Sequence, residues 1–177
     1  MEFSLAGDTG RTYSIRTELV TQFDPALVKT VIDIDLMTFS EPTWSRTTAG
    51  LVLRYGMTWL LRADDWVIGT CHCIRSWERP HEAVLFSMAI RPGWRGRGLG
   101  TRFLQGVLDG LVGQGMRSVV LEVSANNRAG VRIYEERFGF CRLGEVEASP
   151  PGGRSAMLRM RKVLKDGPLA EITEFPT

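Results

Sequence analysis

Arg91-Pro92-Gly93-Trp94-Arg95-Gly96-Arg97-Gly98-Leu99-Gly100 is the stretch whose reading decides the fold. Before it, residues 83–90 (AVLFSMAI) form an apolar run with the length and composition of a buried strand. After it, Leu99, Phe103, Leu104, Val107, Leu108, Leu111 and Val112 fall at helical spacing. A strand, a turn rich in glycine and arginine, and a helix N-terminus together make an anion site. Glycine accepts positive φ and lets the backbone come close to a ligand. The first-turn N–H groups have no partner inside the helix and carry the positive end of its dipole. Successive N–H groups in such a turn also converge on a single oxygen. The chemistry best matched to this loop is a pyrophosphate.

Three pyrophosphate loops compete for the stretch. A Walker loop needs a Gly-Lys-Ser or Gly-Lys-Thr end, and the loop contains no lysine. The dinucleotide fingerprint belongs after the first strand of a βαβ unit, whereas Gly96, Gly98 and Gly100 lie midway along the chain in another register. The pattern that fits is Arg95-x-x-Gly98-x-Gly100, which resembles the acyl-CoA loop of the GNAT N-acetyltransferase superfamily. A second motif follows in the right order. Residues 117–123 (RSVVLEV) form a β-branched strand. Asn127 is then placed to cap a helix with Val131, Tyr134 and Phe138 on one face. The run Tyr134-Glu135-Glu136-Arg137-Phe138-Gly139-Phe140 resembles the superfamily's helix end. Within the superfamily, residues 88–134 are most similar to the bacterial ribosomal-protein alanine N-acetyltransferase branch, and residues 37–45 resemble it loosely. Two departures stand out. One extra residue separates Tyr134 from Gly139-Phe140, which predicts a bulge at the helix end. Residues 145–154 (EVEASPPGGR) replace a tyrosine-rich, peptide-facing segment, which leaves the acceptor open.

The resemblance implies a mixed α/β sheet of about seven strands, mostly antiparallel, with one splayed parallel pair and flanking helices. It implies acetyl-CoA as co-substrate, with the thioester acyl group passed to a primary amine. The backbones of Met88, Ala89 and Ile90 would pair with pantetheine, and the Ile90 N–H would face the thioester oxygen. Gly96, Arg97, Gly98, Leu99, Gly100 and Thr101 would cradle the pyrophosphate, helped by the Arg95 and Arg97 side chains. Asn127 would bond the pantetheine arm while serving as an N-cap.

The transfer needs a base and an acid. Alternation along residues 117–123 separates Val119, Leu121 and Val123 from Ser118, Val120 and Glu122. A carboxylate in the middle of an apolar strand is costly unless it is paired or functional. Glu122 is therefore the candidate base, with an ion pair to a neighbouring arginine as the competing role; Glu82, Glu41 and Asp35 are the other carboxylates near the expected acceptor cleft. Tyr134 is the candidate acid for the departing thiolate.

Bulk properties bound the rest. The chain has 177 residues, a net charge of +2, 44% hydrophobic and 24% charged residues. That is one ordinary globular domain, expected over 1–165 with a tail over 166–177, and no case for nucleic acid. No apolar stretch has the length of a membrane span and the N-terminus has no signal pattern, so the expected location is the cytoplasm. Three cysteines give no disulfide framework. Cys71 and Cys73 share one strand face with His72 on the other, too few convergent ligands for zinc, and no metal is expected.

The expected order is β-α-α-β-β-β-α-β-α-β-β. It comprises a strand over 13–18, a helix capped at Asp24-Pro25, a second helix from Ser45 to 55, and a hairpin of 57–62 with 66–75. The strand, loop, helix, strand and helix above follow. An antiparallel pair over 139–145 and 154–162, turning at 150–153, closes the domain, and its last strand is expected to be an exposed edge able to pair between subunits. Trp44, Trp59, Trp66 and Trp77 are candidates for the acceptor side. Two other classes stay open: a silent acyl-CoA sensor or interaction module, and a nucleotide- or RNA-binding protein using the basic loop. A monomer and a homodimer are both compatible with the sequence.

Overall fold

The structure, a computed structural model, describes residues 2–7, 10–39, 44–146 and 156–164. Eight strands form one sheet: β1 (Glu2–Ala6), β2 (Thr12–Leu19), β3 (Met57–Ala63), β4 (Trp66–Arg75), β5 (Glu82–Ile90), β6 (Ser118–Ser124), β7 (Cys141–Val146) and β8 (Met157–Val163). Their order across the sheet is β1-β2-β3-β4-β5-β6-β8-β7. Every neighbouring pair is antiparallel except β5 with β6. The helices are α1 (Pro25–Leu36), α2 (Arg46–Tyr55), α3 (Leu99–Gly113) and α4 (Arg128–Arg132), the last continuing as a π-helical turn over Ile133–Arg137.

The strand count is one higher than expected. β1 is a short edge strand whose Phe3 and Leu5 alternate onto the main core, a pattern too brief to stand out in sequence. The expectation for the last strand is corrected. β8 is not an edge: it lies between β6 and β7, and the described sheet ends at β1 and β7. The expected turn at 150–153, Glu41 and the tail over 166–177 lie outside the described residues.

Alternation distributes the core between the two faces. Val119, Leu121 and Val123 of β6 join Leu85 of β5 and Cys71 and Cys73 of β4 beneath α3. That helix buries Leu99, Phe103, Leu104, Val107, Leu108 and Leu111 along one stripe, each such side chain contributing about 1.5–3 kcal/mol of apolar burial. Gly110 permits the contact, because a Cβ there would overlap the Trp59 indole. On the other face a smaller core gathers Val31, Trp44, Ala49 and Leu53 of the α1–α2 region, with Phe86 of β5 packed against it. Asp24 caps α1 through the Ala26 N–H with Pro25 at the first helical position, and Ser45 caps α2 through Thr48.

Two irregularities position the site. The β5–β6 ladder runs from Glu82 opposite Ser118 to Leu85 opposite Leu121 and then stops, although both strands continue. The sheet opens there between β5 and β6, with Glu122 the first residue of β6 that has no register partner on β5. On the other side of β5 the register with β4 shifts between Thr70 and His72, and Ser87 within the bulge has φ of +48°.

Candidate active site

The open half of β5 presents backbone to the gap. Arg91 N–H donates to Ile68 C=O at 2.8 Å, so this register position faces β4. Antiparallel alternation turns the N–H and C=O of Ile90 the opposite way, toward the opening. The carbonyl is taken by the Arg95 guanidinium, Nε to O 2.8 Å. The Ile90 N–H faces the same opening, and Met88 and Ala89 lie on the same stretch.

At the end of β5 the chain makes a single 3₁₀ turn over Pro92–Trp94, then passes through Gly96 (φ +78°) and Gly98 (φ +71°) into α3. A Cβ at either glycine would meet nothing within 4 Å, so backbone conformation is the reason for glycine there. Gly98 is the N-cap and has no side chain to offer, leaving the first-turn N–H groups of Leu99, Gly100 and Thr101 without a side-chain cap. The backbone elements of the expected phosphate cradle thus lie together. The arginine side chains divide. Arg97 lies over the Trp94 ring, 5.9 Å from its centroid. Arg95 turns back into the protein, bonding Ile90 C=O and, through Nη2, Thr38 Oγ1 at 3.0 Å. Its side chain therefore shapes the loop.

Glu122 and Tyr134 come from opposite faces of the sheet. Glu122 shares its face with Phe86 and the α1–α2 core, by the register that pairs Val84 with Val120. Arg159, its register partner on β8, donates to Oε1 through Nη2 at 2.8 Å and Nε at 3.1 Å. This is the arginine pair that competed with a catalytic role; the carboxylate nevertheless keeps about a third of its surface (34%) open to solvent. Tyr134 packs into the α3–α4 core with its ring against Phe140, centroids 5.6 Å apart. Burial, and then the nearby Cys71 thiol, push its phenol up to about 12. Such a phenol stays protonated at neutral pH, the state a proton donor requires.

The extra residue after Tyr134 has a clear structural result. Phe138 N–H reaches back to Ile133 C=O, five residues rather than four, and Phe140 N–H returns to Tyr134 C=O. One surplus residue is absorbed as a π turn, as the spacing predicts. Asn127 caps α4 by accepting the Gly130 N–H at 3.0 Å, which leaves its amide NH2 as the group able to face a ligand.

The other candidates separate. Glu82 is buried and bound by Arg161 and Ser118. Asp35 is buried beneath Ser87. Trp44 and Trp59 are core residues, whereas Trp66 and Trp77 stand in solvent. A cleft of about 400 Å³ beside α4, lined by Arg128, Arg132, Glu135, Arg142 and Glu145 among others, contains none of the expected site residues. Among the described residues no cluster of His, Cys, Asp and Glu forms a metal site, and no helix is long and apolar enough to cross a membrane. Sequence reasoning missed Arg159 and Ser87. The alternation Leu158-Arg159-Met160-Arg161 carried a signal for the first; the bulge at the second left none.

Residues 28–140 match the acetyltransferase (GNAT) family, and the chain belongs to it. It is 41% identical over 54 residues to the [ribosomal protein bS18]-alanine N-acetyltransferase of Salmonella typhimurium. That alignment covers 30% of this chain and 36% of the relative, so the chain spans about a third of the curated relatives' length. The fold is similar to the crystal structure of the Escherichia coli ribosomal-protein-S18-alanine N-acetyltransferase, with TM-score 0.72, 21% identity, and 86% of this chain and 96% of that one covered. It is also similar to a putative acetyltransferase from Salmonella typhimurium solved with its cofactor acetyl-CoA, with TM-score 0.68, 16% identity, and 88% and 95% covered.

Proposed function

We propose that the chain, as one domain over 1–165, is an N-acetyltransferase that moves an acetyl group from acetyl-CoA directly to a primary amine. The observation that carries this reading is the opening of the β5–β6 pair beyond Leu85 and Leu121, which ends in an uncapped, glycine-lined helix N-terminus. A pantetheine arm can complete the unpaired edge of β5 as a strand would, while the loop holds the pyrophosphate. The Ile90 N–H then faces the thioester oxygen and stabilises charge developing there. Glu122, on one face, takes the proton from the incoming ammonium or amine, directly or through water. Tyr134, on the other face, returns a proton to the departing thiolate. The acceptor is a protein N-terminus, a lysine or a small amine. The buried free thiols of Cys71 and Cys73 fit a reducing compartment such as the cytoplasm, and the chain works as a monomer or homodimer.

The test is release of CoA thiol from acetyl-CoA against a panel of amines and N-terminal peptides, with Glu122→Gln and Tyr134→Phe alongside. Turnover on one amine class, reduced in both variants, supports the reading and names the acceptor. The Arg159 bond to Glu122 favours a second reading, a silent acyl-CoA sensor, because the guanidinium already occupies one oxygen of the carboxylate. Tight acetyl-CoA binding with no turnover on any amine would establish that reading instead.

A further inference from the structure

The unpaired half of β5 has a structural problem of its own. Residues 86–90 have no register partners on β6, and the ladder with β4 is broken by the bulge at Ser87. Ser87 also occupies φ of +48°, a region a non-glycine residue leaves unless its surroundings hold it.

Helix α1 supplies contacts at both ends of this segment. At the start, Ser87 Oγ donates to Oδ1 of Asp35 at 3.0 Å and receives Trp44 Nε1–H at 3.3 Å. Asp35 is 3% exposed, a carboxylate kept inside the small core and directed at this hydroxyl. At the far end, Arg95 bridges Ile90 C=O to Thr38 Oγ1, and Thr38 Oγ1 is itself fixed to Ile34 C=O at 2.8 Å. Between these, Arg91 spans from Val67 C=O at 2.9 Å to Met37 Sδ at 3.4 Å. Asp35, Met37 and Thr38 belong to the last turn of α1 and its C-terminal extension. One helix end thus grips the residues on either side of the Ile90 N–H.

We infer that the C-terminal end of α1 is a positioning strut for the donor strand: Asp35, acting through Ser87, and Thr38, acting through Arg95, hold the bulged half of β5 open and preorganised for the CoA thioester. This rests on the donor reading given under Proposed function. None of these side chains need touch the reacting atoms. Their effect is to fix the population of the binding-competent strand, and apparent affinity falls in proportion to that population.

The test separates the hydroxyl from the backbone. Ser87→Ala removes both side-chain hydrogen bonds and keeps the positive-φ penalty; Ser87→Gly removes the same bonds and the penalty with them. Thr38→Val cuts the second arm while keeping the side chain's shape. CoA dissociation constants by calorimetry and kcat for acetyl transfer are measured for each, with thermal midpoints alongside. Ser87→Ala and Thr38→Val are expected to weaken CoA binding about tenfold, as when the competent state falls to about a tenth of the population. Ser87→Gly is expected to recover to within about threefold of the wild type. Equal losses in the Ala and Gly variants, or CoA affinity unchanged in Ser87→Ala and Thr38→Val, would overturn the strut. A wild-type chain that binds no CoA removes the donor reading and the strut together, whereas a wild type that binds CoA and is matched by Ser87→Ala removes the strut alone.

Discussion

Arg159 and Glu122 face each other across β8 and β6, with Nη2 and Nε of the arginine both directed at one carboxylate oxygen, Oε1. Neither bond from Arg159 uses the second oxygen, Oε2, which in the proposed function is the one that meets the amine or a water. The pair is half exposed, and such pairs contribute about 0–1 kcal/mol to stability. Replacing Arg159 with Met should therefore leave the thermal midpoint nearly unchanged. If Glu122 is the base, Arg159→Met should retain at least the wild-type kcat, while Glu122→Gln should lose about 10²-fold or more. Steady-state rates for the two variants decide it. Equal losses would mean that the arginine–carboxylate pair, rather than the carboxylate alone, is the functional unit.

Tyr134→Phe keeps the ring against Phe140 and removes only the hydroxyl. Acetyl transfer should fall about 10²-fold if the phenol protonates the thiolate, with CoA affinity little changed. The phenol also leaves a mark on stability. Its folded value near 12 stands above the ordinary 10, so the folded chain holds a proton that the unfolded chain gives up first. That contribution is whole below pH 10 and is lost as pH rises toward 12. Chemical denaturation between pH 9 and 12 should show a shallower alkaline decline in Tyr134→Phe than in the wild type.

Much of this arrangement was legible in the chain because it rests on local signals. The Gly96 and Gly98 turn, the apolar stripe of α3 and the Asn127 cap are each written within a few residues, and each is found where its residues indicate. Even the π turn follows from one surplus residue between Tyr134 and Gly139. Interactions between distant segments were not legible. Arg159 meets Glu122 only because β8 inserts between β6 and β7, an order that local periodicity does not encode. Arg95 illustrates the same limit. Its place in the motif points to phosphate, yet it bonds the Ile90 carbonyl and Thr38, just past the end of α1. Ser87 gives no sequence sign of its positive φ, because the bulge is set by the strand beside it.

Gly98 and Gly93 offer a matched pair of substitutions in the loop. Both have open space where a Cβ would go, but only Gly98 has positive φ, at +71°. Gly98→Ala should cost about 1–2 kcal/mol of local strain and weaken CoA binding by about tenfold as the helix N-terminus shifts to relieve it. Gly93→Ala should bind CoA like the wild type. Titration of CoA against both proteins checks this, and equal affinities would separate the glycine conformation from anion binding.

His72 makes the strongest prediction about acid stability. The residue is 1% exposed, its Nδ1 lies 3.0 Å from Thr58 Oγ1, and its ring packs tilted at 53° against Trp44 with centroids 4.7 Å apart. Burial lowers its pKa from 6.5 to about 3, so the folded protein keeps it neutral where the unfolded chain would protonate. Between those values the unfolded state binds the extra proton, and stability falls as pH falls. The contribution is whole above about 6.5 and declines by up to about 1.4 kcal/mol per pH unit below it, until the folded-state value is reached. His72→Gln carries no titrating group. Whatever its absolute stability, its denaturation free energy should vary less steeply between pH 6 and 4 than that of the wild type. Parallel slopes in the two proteins would show that protonation of His72 does not open this core, and that the carboxylates alone set the acid limit.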